Sequence, residues 1–329
     1  MGRSAIAAAA VCAVGLAACG GSSQPRATVT IVRAPPPATT AASPPTTTAT
    51  TPPKPPAPKP PPPPSYPVLL PAAQGTAPTA GLVPAVRWGG QTAAWIHRIS
   101  SGLTVMEFDQ QLVGLHLHSG TIDAGTAGWR YGPAIGGAEL RRVVAAFNGG
   151  FRLSVGAGGF ESYGRVAVPL QSGLGSIVTY SDGTTDVGSW HNEVPAGGKQ
   201  VVSVRQNLNL LIDHGVANST AGCDSCWGAT LGGVADPARS ALGVTGGGRL
   251  IWAAGENVTV DQLVGALMGA HVVRAVELDI NPEWVAGYLY GHRGGKGPVA
   301  PIPAMTAQNG IPGQFLAPWG RDFFSVSAR

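Results

Sequence analysis

Between residues 20 and 67 the chain is dominated by Pro, Thr and Ala, and residues 52–64 are Pro throughout except for Lys54, Ala57 and Lys59. A stretch of this composition has almost nothing to bury and favours polyproline II, at about 3.1 Å per residue. It reads as a stalk with a reach of about 130 Å. Folding is therefore confined to residues 68–329, some 260 residues, enough for one large domain with a substantial core.

Before the stalk come Arg3 and an apolar run over residues 5–18, too short to span a bilayer and weakly flanked, which reads as an export signal. The run ends Leu16-Ala17-Ala18-Cys19-Gly20, which resembles the lipobox of bacterial lipoproteins. That resemblance implies a signal peptide over residues 1–18, lipidation of Cys19, and a lipid anchor and stalk over residues 19–67. The protein would then be held to the outer face of the bacterial cytoplasmic membrane and extend into the cell wall. Ordinary signal cleavage leaving a free Cys19 thiol is the alternative. Five basic residues, Arg3, Arg26, Arg33, Lys54 and Lys59, precede Pro67, whereas all 17 acidic residues lie at or after Glu107. The folded part keeps 16 basic residues against those 17 acids, so the basic character belongs to anchor and stalk. That suits an anionic membrane or wall and gives no support to a nucleic-acid site.

In the folded part Gly is abundant, amphipathic segments of helical length are few, and short β-type runs recur between Gly, Asp and Asn. The expected class is α+β, with a mostly antiparallel mixed sheet and a few packed helices. Strands are expected at residues 103–109, 112–118, 176–180, 201–204 and 208–212, with Asp182-Gly183 as a hairpin turn. Residues 138–146 read as a helix carrying Leu140, Val143, Val144 and Phe147 on one side. Residues 241–245 and 249–253 flank Gly246-Gly247-Gly248 as a hairpin. Thr259 and Gln262 then form a capping box at the start of a helix that Gly269 can close.

The segment that follows, Val276-Glu277-Leu278-Asp279-Ile280-Asn281, alternates apolar and polar residues, and on a strand this sends Glu277, Asp279 and Asn281 to one face. Carboxylates at i and i+2 lie roughly 6.5 to 7 Å apart at their Cα atoms, close enough to reach one small ligand. Upstream, Asn148-Gly149-Gly150 follows a buried-type run, where paired glycines permit a sharp turn and a close backbone approach, and Asn148 offers both a donor and an acceptor. Trp284, Tyr288 and Tyr290 offer rings to stack on sugars, and His191 and His214 are further cleft candidates. His116 and His118 share a strand face and offer two imidazoles to a metal; no cofactor is demanded, although a divalent cation would be compatible. Cys223-Asp224-Ser225-Cys226 supplies only two of the four ligands a structural zinc wants, so in an exported protein it reads as a local disulfide.

Taken in order, Ala146-Phe147-Asn148-Gly149-Gly150-Phe151, Arg239-Ser240-Ala241-Leu242-Gly243-Val244, the Thr259 helix and Val276-Glu277-Leu278-Asp279 resemble the phosphodiester glycosidase family, that of the enzyme uncovering mannose 6-phosphate by removing N-acetylglucosamine. The resemblance spans about residues 103–317. It implies hydrolysis of a sugar from a phosphodiester-linked or related envelope glycan, with Glu277, Asp279 and Arg239 catalytic. Asn148, Gly149, Gly150, Asn281, His191 and Trp284 would bind a carbohydrate or glycan-phosphate substrate. Cleavage of a sugar C1–O bond passes through an oxocarbenium-like state that a carboxylate stabilises, while a guanidinium suits a phosphate leaving group. Family members often carry Asp-Gly-Gly where this chain has Asp279-Ile280-Asn281, so the uncovering enzyme's substrate does not simply carry over. The alternative is a non-catalytic carbohydrate-binding envelope lipoprotein. Replacing Cys19 by Ala is expected to move the protein from the membrane to the soluble fraction on cell fractionation, since the signal is too short to span. Continued membrane association of that variant would reject the lipid anchor.

Overall fold

The computed structural model describes residues 66–329 apart from 127, 231, 234 and 235. The expected signal peptide, lipidated Cys19 and stalk lie outside the described residues. No helix among the described residues is long and apolar enough to cross a membrane.

The domain is mostly β, which corrects the expected α+β class. A 14-stranded mixed sheet and a five-stranded sheet carry the structure, and the described α-helices are Pro71–Gln74 and Val260–Gly269. Part of the error lies in residues 138–146, where Glu139–Arg141 is a single 3-10 turn and Val143–Asn148 is a strand. Every residue of that strand is buried, because it runs between Gly287–His292 and Phe323–Ala328. An apolar run buried on both faces loses the alternation that would separate strand from helix, and the β-branched Val143 and Val144 favour the strand.

Elsewhere local rules hold. Thr104–Phe108, Val113–His118, Gly175–Tyr180, Val201–Gln206 and Leu210–Asp213 are strands, and Gly175–Tyr180 turns into Thr185–Ser189 at Asp182, whose Oδ1 accepts the Thr184 N–H. Arg239–Thr245 and Leu250–Gly255 form the hairpin, with Gly248 at a φ of 77°. At Val260–Gly269 the Thr259 hydroxyl accepts from Gln262 N while the Gln262 side chain accepts from Thr259 N. The helix buries Val260, Leu263, Val264 and Leu267 against the sheet residues Val105, Ile212, Ile251 and Ala253.

One end of the large sheet runs Leu210–Asp213, Val272–Glu277, Arg239–Thr245, Leu250–Gly255 and Thr104–Phe108. The other runs Gly287–His292, Val143–Asn148, Phe323–Ala328 and Val113–His118. Between them sit Gln91–Arg98, Val83–Trp88 and the short Val68–Leu69, which pairs antiparallel with Val83–Trp88 and parallel with Gly287–His292. Phe147 from one end meets Trp252 and Phe108 from the other, with ring centroids 5.7 and 6.2 Å apart, so the sheet folds back around a shared core. The five-stranded sheet, Thr185–Ser189, Gly175–Tyr180, Val201–Gln206, Phe160–Ser162 and Arg165–Val168, is antiparallel throughout.

Gly287 shows how closely the two ends approach. A Cβ there would lie 2.4 Å from Trp252 Cη2, inside the indole that closes the core. Gly287→Ala is expected to destabilise the domain by about 1–3 kcal/mol, the usual cost of overpacking, and to lower Tm in a thermal melt. An unchanged Tm would show that the two ends are less tightly packed than this.

Candidate active site

Strand ends converge on the Asn148–Phe151 turn. Asn148 closes its strand, pairing with Phe323, and the next amide, Gly149 N–H, donates to Asp322 O. Gly149 O accepts the Asp279 N–H, and the Ser240 hydroxyl, itself accepting from Asn148 Nδ2, donates to Asp279 O. Asn207 fastens the five-stranded sheet to the same turn, its Oδ1 accepting Phe151 N–H and its Nδ2 donating to Glu277 O. The Asn148 amide is thus spent on the backbone and Ser240, and the two glycines serve side chains of the protein. A Cβ on Gly149 would lie 2.2 Å from Asp322 Oδ2, and one on Gly150 would lie 2.8 Å from Arg205 Cζ.

The strand carrying the carboxylates ends at Glu277, and both sets of the alternating pattern are buried, Val276, Leu278 and Ile280 as well as Glu277, Asp279 and Asn281. The two carboxyl groups enter different surroundings. Glu277, with its side chain fully buried, accepts from Arg239 Nη1 at 2.7 Å. Arg239 is equally enclosed, donating also to Trp227 O and Asp224 O and lying 3.6 Å from Asp224 Oδ1. Asp224 in turn caps the Val260–Gly269 helix, accepting Val260 N–H, and sits in the loop closed by the expected Cys223–Cys226 disulfide. Arg239 is therefore the partner of acids; a guanidinium enclosed in this way is poorly placed for a substrate phosphate. Burial raises the Glu277 carboxyl to about 8 against the opposing pull of Arg239.

Asp279 faces a cleft. Its Oδ2 lies 2.9 Å from Arg321 Nη2, and its Oδ1 accepts Asn281 N–H. Arg321 donates from Nε to Asp123 and from Nη2 to Gly150 O, and stacks over Trp284 at 5.3 Å from the ring centroid. Its Nη1 has no hydrogen-bond partner among the described residues. Burial raises the Asp279 carboxyl, opposed first by Arg321 and then by the Asn281 amide. Burial alone would pull the Arg321 guanidinium down, but Asp279, Asp322 and Asp123 together hold it up. Two adjoining cavities share Arg321 and Arg152 as walls. The larger, about 620 Å³, adds Asp123, Ser154 and Trp284; the smaller, about 70 Å³, adds Phe151, Asp279 and Asn281. The Arg152 guanidinium has no ion-pair partner among the described residues.

The structure thus brings Asp279, Asn281 and Trp284 together at a cleft and places Asn148, Gly149, Gly150, Glu277 and Arg239 in the framework behind it. His191 bonds Ser172 Oγ at 2.8 Å and His214 stands beside Asp213; neither lines these cavities. Tyr288 and Tyr290 are core residues. His118 bonds Gly132 O, Glu139 and Ser325, and its neighbour His116 stacks on Tyr131, so the pair does not converge on a metal. Glu193, Asp213 and His214 could hold a cation, with ligand atoms within 4.8 Å of one another, apart from the cleft residues. Sequence reasoning missed Asp123, Arg152 and Arg321; the one local sign was Arg321-Asp322, a charged couple abutting the fully buried Phe323–Ala328 strand.

No family model and no curated protein matches this sequence. Among solved structures, the zebrafish N-acetylglucosamine-1-phosphodiester alpha-N-acetylglucosaminidase catalytic domain, auto-inhibited by its pro-peptide, is similar at 15% identity and a TM-score of 0.42, covering 76% of this chain and 81% of its own. A hypothetical protein from Synechocystis is similar at 15% identity and a TM-score of 0.39, covering 77% of this chain and 64% of its own. At such scores these likenesses carry neither family nor activity over to this chain.

Glu277→Gln tests the enclosed pair. With its carboxyl raised from 4.5 to about 8, the folded protein holds a proton that the unfolded chain gives up, so this contribution is complete at low pH and is lost as pH rises toward 8. The Tm of the variant minus that of the parent is expected to increase between about pH 5 and about pH 8 in thermal melts. A difference that falls over that range would show that the Arg239 ion pair outweighs desolvation.

Proposed function

We propose that the protein is a glycoside hydrolase that releases a sugar from a phosphodiester-linked or related anionic glycan of the envelope or its surroundings. The observation that carries the reading is Asp279, a carboxylate only 6% exposed, at the wall of a cleft that also presents the unpartnered Arg152 and the free Nη1 of Arg321. Asp279, ionised against Arg321, stabilises positive charge developing at the sugar C1. Arg152 and Arg321 Nη1 hold the anionic leaving group, which departs with the C1–O bonding pair and needs little proton donation. Water adds its oxygen at C1 and releases a proton. Trp284 and Asn281 flank the sugar, and Glu277 with Arg239 positions the Asp279 backbone from behind. The lipobox-like Cys19 and the Pro-rich stalk support an enzyme tethered outside the cytoplasmic membrane and reaching into the wall.

Asp279→Asn keeps shape and removes charge, and is expected to lower kcat/KM on a sugar-1-phosphodiester at least about a hundredfold, near 2.7 kcal/mol, with Tm retained. Because burial raises Asp279, wild-type kcat/KM should fall with decreasing pH through a midpoint above the ordinary aspartate range. Arg152→Ala should impair phosphodiester substrates far more than neutral aryl glycosides. Undiminished turnover by a folded Asp279→Asn would remove this carboxylate from the chemistry, and binding of glycans without turnover by the wild type would leave the non-catalytic alternative.

A further inference from the structure

A second cavity, about 620 Å³, opens beside the Val113–His118 strand and shares no lining residue with the cleft around Asp279. Its walls include His116, His118, Arg130, Tyr131, Glu139 and Arg142. The acids in it are already matched. Glu139 accepts from Ser325 and lies 3.2 Å from His118 Nε2, and Asp182 is 3.0 Å from Lys199 Nζ. The side chains of Arg130 and Arg142 have no hydrogen-bond or ion-pair partner among the described residues. His118 is fully enclosed and held at both ring nitrogens, which fixes that wall, and His116 lies flat on Tyr131 with centroids 4.4 Å apart.

Arg130 and Arg142, both exposed and without a protein partner among the described residues, stand with an imidazole around a concave pocket and concentrate donors and positive charge there. Guanidiniums offer paired N–H groups that match the oxygens of a carboxylate or phosphate. We propose that this cavity is a second ligand site, which binds the oxyanion of an acidic ligand, carboxylate or phosphate, between Arg130 and Arg142 with His116 as a further donor. Burial, with nearby His118, Arg142 and Arg130, holds His116 down to about 4 although Glu139 opposes this, so the ring is neutral in the empty pocket. An oxyanion between the arginines would offset their charge and favour the protonated ring, which makes His116 a reporter of occupancy.

The test follows the His116 ring protons by NMR in the full chain at low ionic strength, with the resonance assigned through His116→Gln. Inorganic phosphate and glucuronate are titrated separately. Saturable binding of either probe, with the His116 midpoint moving upward, is expected, and the probe that binds tells phosphate from carboxylate chemistry. Arg130→Ala/Arg142→Ala should weaken that binding at least about tenfold and abolish the His116 response, with partial recovery in the double Lys variant. Turnover at the Asp279 cleft should be unchanged by the Ala pair. Absence of binding by both probes, or binding that survives the Ala pair, would overturn the proposal. Binding lost in Arg152→Ala instead would assign the anion to the cleft and overturn it as well.

Discussion

The architecture around the cleft depends on one buried ion pair. Arg205 Nε donates to Asp322 Oδ2 at 2.8 Å, with the two side chains 1% and 0% exposed. Arg205 belongs to the five-stranded sheet, and Asp322 immediately precedes a strand inside the large one. Withdrawing two charges from water is costly, and the cost is recovered only when the remaining donors and acceptors are also satisfied. Here they are, because Arg205 also donates to Phe151 O and Gln206 O, and the Asp322 carboxylate accepts from Arg205 Nη2 at Oδ1 and from Gly150 N–H at Oδ2. Removing one partner would strand the other charge, at about 3–5 kcal/mol. The pair therefore fixes where the two sheets meet, and through that the turn from which Asp279 and Arg321 are held.

This dependence explains the Gly149-Gly150 pair better than substrate approach does. Both glycines lie against the ion pair, so a side chain at either would push Asp322 or Arg205 out of register. The residues lining the cleft are instead Arg152, Asp279, Ile280, Asn281 and Trp284. Loops carried on a rigid base of strands are the usual setting for a binding site.

Much of the fold was legible where the determining interactions are local. The Thr259–Gln262 capping box, the glycine-closed hairpin, the Asp182 turn and the short Cys223–Cys226 loop are each decided within a few residues. The class was misread where burial on both faces erased the period, as at Val143–Asn148. The residues of the candidate cleft were half legible for a related reason. Asp279 stood out from its alternating neighbours, but its partner Arg321 also binds Asp123, 198 residues away in sequence, and no local pattern announces such a pairing. Arg239 had two readings in the sequence, a phosphate ligand or an ion pair with Glu277 or Asp279, because a lone arginine in a strand looks the same in either setting; the structure pairs it with Glu277.

The short Val68–Leu69 strand has a mechanical meaning. It links the two ends of the large sheet, with His292 N–H donating to Pro67 O at 2.7 Å on one side and Leu70 N–H to Ala85 O at 2.9 Å on the other, while Tyr66 packs its ring 4.6 Å from that of His292. Any pull arriving through the chain before Tyr66 acts first on this link. Pulling along the strand loads its few hydrogen bonds together in shear, and losing them breaks the ladder where, among the described residues, Val83–Trp88 and Gly287–His292 are hydrogen-bonded only through it. A load applied at Tyr66 would thus reach the sheet where its ladder is narrowest, and the packing of Phe147 on Trp252 and Phe108 would be left to hold the two ends together.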